Sequence, residues 1–187
     1  MARQPRKFLI DQPSQVTALA APLRWRIVDA LAVGGPSSVS EVAQRLACRP
    51  EGLYYHIRAL LKAGLVVLAE KRRAGRRWEA VYRLAAPRLM IDRRQESKAF
   101  KEALARSCAA ALRAAARDYR AALEHPDVDR KDAARGLILR RHAARLSARD
   151  LERLHVYLAK IAELFEQNRP IRDGREYGLT LVLTPAK

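Results

Sequence analysis

The chain has 187 residues, of which 49% are hydrophobic and only 6% aromatic, and its formal net charge is +17 at pH 7. This length and apolar content allow one large or two small packed domains, and abundant alanine with few aromatics favours helices over a β-sandwich. The charge is far above what solubility requires and indicates an anionic partner, either nucleic acid or a membrane surface.

The cysteines and the hydropathy of the chain exclude several further classes of protein. Cys48 and Cys108 have no paired spacing, which excludes a disulfide framework and a Cys-x-x-Cys metal knuckle. No run approaches the roughly 20 apolar residues of a membrane span, and the apolar run at the start is too short for a signal peptide. We therefore expect a soluble, cytoplasmic protein without a membrane partner.

The first 50 residues predict two helical segments behind a basic arm at 1–12. Apolar residues recur at helical spacing over 14–32, where Pro22 should kink or restart the helix. A Gly-Gly-Pro-Ser-Ser break follows, and Ser38 with Glu41 then forms a capping box that opens a short helix.

A third helix and a hairpin come next. The helix is predicted over 50–63 and ends at Gly64, a residue that suits a C-cap. Two β-prone runs, 65–70 and 78–84, flank a loop and predict a hairpin. That loop carries five cations: Lys71, Arg72, Arg73, Arg76 and Arg77.

The second half of the chain is predicted to be mainly helical. An Ala-rich helix covers 95–124, a polar connection covers 127–136, and a further helix is capped by Ser147. The segment 137–146 suits either a strand or a helix, with a strand slightly favoured. Alternation over 177–184 predicts a final strand.

The order of the first elements is typical of a winged helix-turn-helix: helix, short helix, tight turn, helix and basic hairpin, all within about 75 residues. In that fold the second helix of the motif enters the DNA major groove, and the hairpin reaches the flanking backbone. The 50–63 helix has the required two faces, because Leu53, Ile57 and Leu60 fall on one side and polar residues on the other.

The polar face of this helix supplies the predicted contacts to base edges and phosphates. Arg58 is the main candidate, since its planar guanidinium can pair bidentately with guanine, and Tyr55 offers a hydroxyl to a phosphate. Either tyrosine could instead cover the domain surface, and His56 falls at the edge of the core. The DNA-binding residues predicted here are Arg49, Glu51, Tyr54, Tyr55, Arg58 and Lys62.

The five hairpin cations complete the predicted surface, whose partner is double-stranded DNA. A cluster of this kind suits phosphates or a narrowed minor groove. A charged hairpin tip by itself is often only solvated surface, but directly after a helix-turn-helix it indicates contact with nucleic acid.

A family resemblance rests on three segments: LAAPLRWRIVDAL (19–31), VSEVAQRLACRPEGLYYHIRALLKAGLV (39–66) and VYRL (81–84). Together they resemble the ArsR-like winged-helix regulators, in the branch with a Tyr-Tyr-His recognition helix and a long helical C-terminal region. The resemblance implies a homodimer that binds a pseudo-palindromic operator, typically as a repressor released by an effector. The hairpin cations and positions 51, 54, 55 and 58 match the family's DNA-contacting positions, although Tyr54 stands where many relatives have Ser.

Metal sensing and catalysis are not expected. The second predicted helix ends with one cysteine, Cys48, and His125, His142 and His155 are scattered, so no set of ligands converges on one ion. The sequence has no Gly-rich phosphate loop, no Gly-x-Ser-x-Gly and no His-Glu-x-x-His motif. We expect no metal, no cofactor and no enzyme activity.

The second half has more apolar surface than a small winged helix needs. A stripe follows the Ala-rich helix, and a heptad seam runs from 151 to 165. A dimer contact is the favoured use, because two recognition helices must lie about 34 Å apart on DNA, and an intramolecular core is the alternative. The predicted interface residues are Leu104, Leu112, Leu151, Leu154, Leu158, Ile161 and Phe165.

These features predict an α+β fold, mostly α, with a winged helix-turn-helix over 13–87. A helical region over 95–187, with one or two short strands, would dimerise and bind an unidentified small-molecule effector. The expected function is that of a homodimeric, sequence-specific transcription regulator, with a repressor favoured. Two alternatives stay open: a winged helix converted into a protein-interaction module, and a non-specific nucleic-acid-binding protein.

Overall fold

The computed structural model describes residues 7–92, 94–125, 137–168 and 176–185. The polar connection expected at 127–136 lies outside these residues. The chain forms two compact units, Met1–Ala114 and Ala115–Lys187. The boundaries of the predicted functional domains, 13–87 and 95–187, stay predictions.

The fold is α+β and mostly α, as the sequence predicts. The described residues of the first unit form five strands: β1 (Lys7–Ile10), β2 (Ser37–Ser38), β3 (Val66–Ala74), β4 (Arg77–Leu84) and β5 (Arg88–Ile91). The helices are α1 (Pro13–Ala18), α2 (Pro22–Gly34), α3 (Val39–Arg45), α4 (Glu51–Lys62), α5 (Lys98–Glu124) and α6 (Ala148–Gln167). No helix of the described residues is both long and apolar enough to cross a membrane.

The first helices begin and end at the proline, capping and glycine residues that the sequence predicts. Pro22 occupies the first turn of α2 and separates it from α1. The capping box is confirmed: Ser38 Oγ accepts the Glu41 backbone N–H at 3.3 Å, and Glu41 Oε2 accepts the Ser38 N–H at 2.7 Å. Such a cap stabilises a helix by about 1 kcal/mol. Gly64 follows α4 with a φ of 71°, a left-handed conformation that glycine adopts without steric cost.

A three-stranded antiparallel sheet, ordered β2-β4-β3, carries the predicted hairpin. Its strands extend through most of the expected loop, so that only Gly75 and Arg76 remain as the turn. Gly75 has a φ of 60°, as a two-residue hairpin turn requires. Most of the hairpin cations therefore lie on hydrogen-bonded strands and not in a loop.

A second, two-stranded parallel sheet pairs β1 with β5. Neither strand was expected, since residues 1–12 were interpreted as a basic arm. Ile10 is only 1% exposed, so the end of β1 belongs to the core. We call the β1–β5 pair the clasp.

The core of the first unit lies between α1–α4, the sheet and the start of α5. Its largest fully buried side chains include Ile10, Leu19, Ile27, Leu53, Ile57, Leu60, Leu65 and Phe100. Each such side chain contributes about 1.5–3 kcal/mol relative to full exposure. This packing fixes α4 against α2 and α3, with one face left outside.

The buried stripe of α5 differs from the predicted one. Its buried residues are Phe100, Ala103, Ser107, Ala110 and Ala114, which step by three and four. Leu104 and Leu112 were expected on the same stripe as Phe100, but they are 36% and 49% exposed. The face that α5 buries is built mainly from small side chains, which leaves Leu104 and Leu112 accessible.

In the second unit, α6 begins as predicted: Ser147 Oγ accepts the Asp150 backbone N–H at 3.1 Å. The strands favoured at 137–146 and predicted at 177–184 are wrong, since 137–147 and 176–185 have neither helix nor strand. Alternating side chains indicate a strand only where a neighbouring strand and an apolar layer cover one face. Tyr177, Leu179 and Leu181 are instead 50–53% exposed.

Candidate nucleic-acid interface

Helix α4 presents the two faces that its sequence predicts. Leu53, Ile57 and Leu60 are at most 1% exposed and anchor the helix in the core. The opposite face is exposed and forms what we call the α4 strip: Glu51, Tyr54, Tyr55, Arg58 and Lys62. The exposure of this strip is confirmed, and its contact with DNA stays a prediction.

The tight turn before α4 places one more predicted residue at the helix N-terminus. Ala47 adopts a φ of 50°, and the Cys48 N–H donates to the Ala43 carbonyl at 3.0 Å, which closes α3. Arg49 is exposed directly before the first turn of α4. A helix N-terminus favours an anion, so that Arg49 adds to the attraction of this end while Glu51 opposes it.

Arg24 of α2 is a member of this surface that the sequence analysis did not identify. Its guanidinium carbon lies 5.7 Å from the centre of the Tyr55 ring, within cation–π range. Its Nη1 donates to the Ala18 carbonyl at 3.0 Å, near the end of α1. Arg24 thus supports a ring that is itself 69% exposed. Arg24 lies within the segment 19–31 that carries part of the family resemblance, but nothing in that segment indicates its neighbour on α4.

His56 lies behind Tyr55 at the edge of the core, as the helical wheel predicts. The two rings meet edge to face, with centroids 5.3 Å apart. Burial, and then the positive charge of Arg24, lowers the pKa of His56 below the ordinary 6.5. Neutral imidazole is therefore the favoured form, and the buried Nδ1 has no hydrogen-bond partner within the described residues.

Arg72 differs from the other hairpin cations because it is held by two carboxylates. Its Nη2 lies 2.7 Å from Oε1 of Glu41 on α3, and its Nε lies 2.6 Å from Oε1 of Glu79 on β4. The pKa of Glu41 is lowered, first by the Ser38 backbone hydrogen bond and then by Arg72. Arg72 therefore ties the hairpin to the helix-turn-helix, whereas the sequence suggested a fifth phosphate contact.

The remaining hairpin cations, Lys71, Arg73, Arg76 and Arg77, are exposed. Arg73 Nε donates to the Gly75 carbonyl at 3.3 Å, which holds that side chain at the turn. Because β3 follows α4 after a three-residue connection, the same unit carries the α4 strip and these cations. An exposed polar helix face beside a cationic ribbon can pair with bases and phosphates at once.

The predicted dimer residues remain largely accessible. Leu151 and Phe165 are 39% and 38% exposed, Leu154, Leu158 and Ile161 are half-buried, and α6 has no buried residue. Leu104 and Leu112 on α5 are also exposed. Their role in dimerisation stays a prediction.

Residues 19–69 match a family model described as a helix-turn-helix domain. No curated protein matches the chain. Among solved structures it is similar to the homodimeric winged helix-turn-helix DNA-binding domain (fragment 1–100) of Mb0332 from Mycobacterium bovis, a possible ArsR-family transcriptional regulator. The two share 24% identity over 59% of this chain and 85% of that one, with a TM-score of 0.29.

The family match spans α2 to the first part of β3, and the hairpin that completes β3 and β4 follows it directly. Residues 19–69 are therefore similar to the helix-turn-helix domain family, and with the hairpin they form a winged helix-turn-helix, the fold that the resemblance to ArsR-like regulators implies.

Proposed function

We propose that the protein is a sequence-specific DNA-binding transcription regulator that acts in the cytoplasm as a homodimer. Residues 13–87 hold the DNA-binding function, and residues 95–187 hold the dimer contact and an effector site. Repression is the proposed mode of action, since occupation of an operator blocks transcription without any further activity of the protein.

One observation carries the proposal: the α4 strip is exposed, basic on balance and flanked by a cationic hairpin. A helix that only stabilises its own domain has no need of Tyr55 at 69% and Tyr54 at 48% exposure beside Arg58. In a major groove, Arg58 would read base edges while the hairpin cations neutralise phosphates. The net charge of +17 supplies long-range attraction to the duplex.

The homodimer follows from the geometry of operators. One recognition helix covers only a few base pairs, and two of them must lie about 34 Å apart to read a palindromic site. The half-exposed seam of α6 offers a surface that a second copy could cover, with Leu154, Leu158 and Ile161 repeating at heptad spacing.

Selection of duplexes from a random pool by the full chain tests the proposal. We expect an enriched sequence with two related half-sites, bound more than about 1,000-fold tighter than random duplex at physiological salt. Arg58→Ala should reduce this preference by about 1–3 kcal/mol per half-site contact. Arg106→Ala, which removes an exposed cation on α5, is the matched control and should keep the preference.

Two results would contradict the proposal in different ways. Equal affinity for all duplexes, with an unchanged salt dependence, would make the protein a non-specific nucleic-acid-binding protein. Failure to bind any duplex at low salt would leave the protein-interaction module as the better interpretation of the α4 strip.

A further inference from the structure

Trp78 is an exposed aromatic residue on the cationic hairpin. It lies on β4 two residues after the turn, where its side chain is 71% exposed. The alternate residues further along the same strand become increasingly buried, from Ala80 and Tyr82 to Leu84 at 5%. Trp78 therefore stands beyond the edge of the core, although large aromatic side chains are usually buried for most of their area.

The register of the hairpin divides its charges between two faces. Arg72 pairs with Glu79, and these residues share the face that reaches Glu41 on α3. Arg73 pairs with Trp78 and Lys71 pairs with Ala80, so these four side chains lie on the opposite face of the hairpin. We call the face formed by Lys71, Arg73, Trp78 and Ala80 the Trp78 face. Between residues 71 and 80 the Trp78 face thus carries cations and an aromatic ring but no carboxylate, since Glu79 lies on the other face.

From this arrangement, and resting on the proposed function, we propose that Trp78 packs against the sugar and base edges of a DNA groove entered by the hairpin. Lys71 and Arg73 then pair with the phosphates on either side of the ring. DNA offers both chemistries together, since apolar sugar and base surfaces lie between two anionic backbones. Trp78 would supply contact area and shape recognition that the arginines alone do not provide.

Charge favours a duplex over a second copy of this chain as the occupant of the Trp78 face. Two hairpins meeting through this face would bring Lys71 and Arg73 of each copy together, and like charges at close range destabilise such a contact. A polyanion gains affinity from the same cations by releasing its counterions. The Trp78 face is therefore complementary to the backbone of nucleic acid.

The chain contains two tryptophans, which makes the contact directly measurable. Trp25 packs partly buried against the core, so Trp25→Phe leaves Trp78 as the only strong emitter. The Trp25→Phe protein is titrated with a selected duplex whose label reports binding by anisotropy. We expect Trp78 emission and its acrylamide quenching to fall in step with the anisotropy rise.

Affinity measurements distinguish the contribution of the Trp78 ring to DNA binding from that of the hairpin cations. Trp78→Ala should weaken duplex binding by about tenfold, as for an aromatic contact with bases, and Trp78→Phe should weaken it less. The slope of affinity against salt should stay unchanged in Trp78→Ala but fall by about 1 in Arg73→Ala. Leu68→Ala, which removes another exposed apolar side chain of the hairpin, is the control and should bind like wild type.

Three outcomes overturn the assignment. Binding by anisotropy with unchanged Trp78 emission and quenching means that the ring stays in solvent, while the proposed function survives. Protection of Trp78 that rises with protein concentration in the absence of DNA assigns the Trp78 face to a second copy. If no duplex binds at all, the proposed function fails and the contact fails with it.

Discussion

Arg72 on the hairpin and Glu41 on α3 form a salt bridge of 2.7 Å between strand and helix. The other oxygen of the same carboxylate accepts the Ser38 N–H that begins α3. One carboxylate therefore caps the first helix of the helix-turn-helix and positions the hairpin beside it.

Replacing Arg72 by alanine should lower the urea midpoint of unfolding at about pH 7 and weaken its dependence on acid. Because the folded pKa of Glu41 lies below the ordinary 4.5, its stabilising effect is complete above that value and is lost as the pH falls below it. Without Arg72 that loss is smaller, so the wild-type and variant midpoints should converge as the pH falls below 4.5. Arg76→Ala, at the exposed turn, should follow the wild-type curve, and parallel curves for Arg72→Ala would refute the linkage.

The same two arginines should behave in the opposite way toward DNA. Arg76 is exposed at the turn, so Arg76→Ala should reduce the salt slope of duplex binding by about 1 for every sequence tested. Arg72 is already paired with two carboxylates, and Arg72→Ala should change that slope much less. Filter binding across a salt series measures both. Equal slopes in the two variants would count against the distinction.

Arg24 and Tyr55 should be energetically coupled in DNA binding. The guanidinium lies over the ring at 5.7 Å, an interaction of about 0.5–1 kcal/mol at an exposed site. A double-mutant cycle with Arg24→Ala and Tyr55→Ala should therefore deviate from additivity by roughly two- to fivefold in affinity. Tyr55→Phe keeps the ring and should keep the coupling to Arg24. Strict additivity with Tyr55→Ala would show that Arg24 does not position the ring.

The pKa of His56 offers a test of its surroundings that does not depend on DNA. Burial is the larger cause of its lowered pKa and the Arg24 charge the smaller, so Arg24→Gln should raise the pKa yet leave it below 6.5. The folded state then binds fewer protons than the unfolded chain, and stability should fall as the pH drops through 6.5. A proton NMR titration measures the pKa, with His56→Gln identifying the signal. A pKa at or above 6.5 in wild type would contradict this placement.

A charge in the α6 seam should disrupt the proposed dimer. Leu158→Asp places a carboxylate at the middle of the heptad repeat, where an apolar contact with a second copy would leave it buried without a partner. Sedimentation velocity should show a monomer, with operator affinity reduced in parallel. Lys160→Asp places the same carboxylate on an exposed position outside the seam, with the loss of a cation in addition, and should remain dimeric. An unchanged sedimentation coefficient for Leu158→Asp would place the dimer contact elsewhere.

Structural features that depend only on residues close together in sequence were predictable. The Ser38–Glu41 box, the glycine after α4 and the Ser147 cap each depend on side chains within three or four positions, and each is present. The burial of α4 also follows from its own periodicity. These signals were sufficient for the winged helix-turn-helix and for the exposed α4 strip.

Features that join distant residues were not predictable in this way. The Arg24–Tyr55 and Arg72–Glu41 contacts are each separated by about 30 positions in sequence, and no local pattern encodes the partner. The clasp is similar, because four residues at Lys7 become a strand only when Arg88–Ile91 lies beside them. The predicted strand at 177–184 failed for the converse reason, since its clear alternation has no neighbouring strand within the part of the chain that the structure describes.

The clasp also determines which fragments of the first unit can keep the folded core. Its two strands enclose the entire helix-turn-helix and hairpin in sequence, and the Asp92 N–H donates to the Ile10 carbonyl at 2.8 Å, just past the last strand pair. A fragment trimmed to Pro13–Pro87 would discard both strands and expose the part of the core that Ile10 covers. Limited digestion should accordingly spare the stretch from Lys7 through the start of α5, since Phe100 fills the same core as Ile10. An excised module intended for grafting onto another protein should retain both strands of the clasp and this first part of α5.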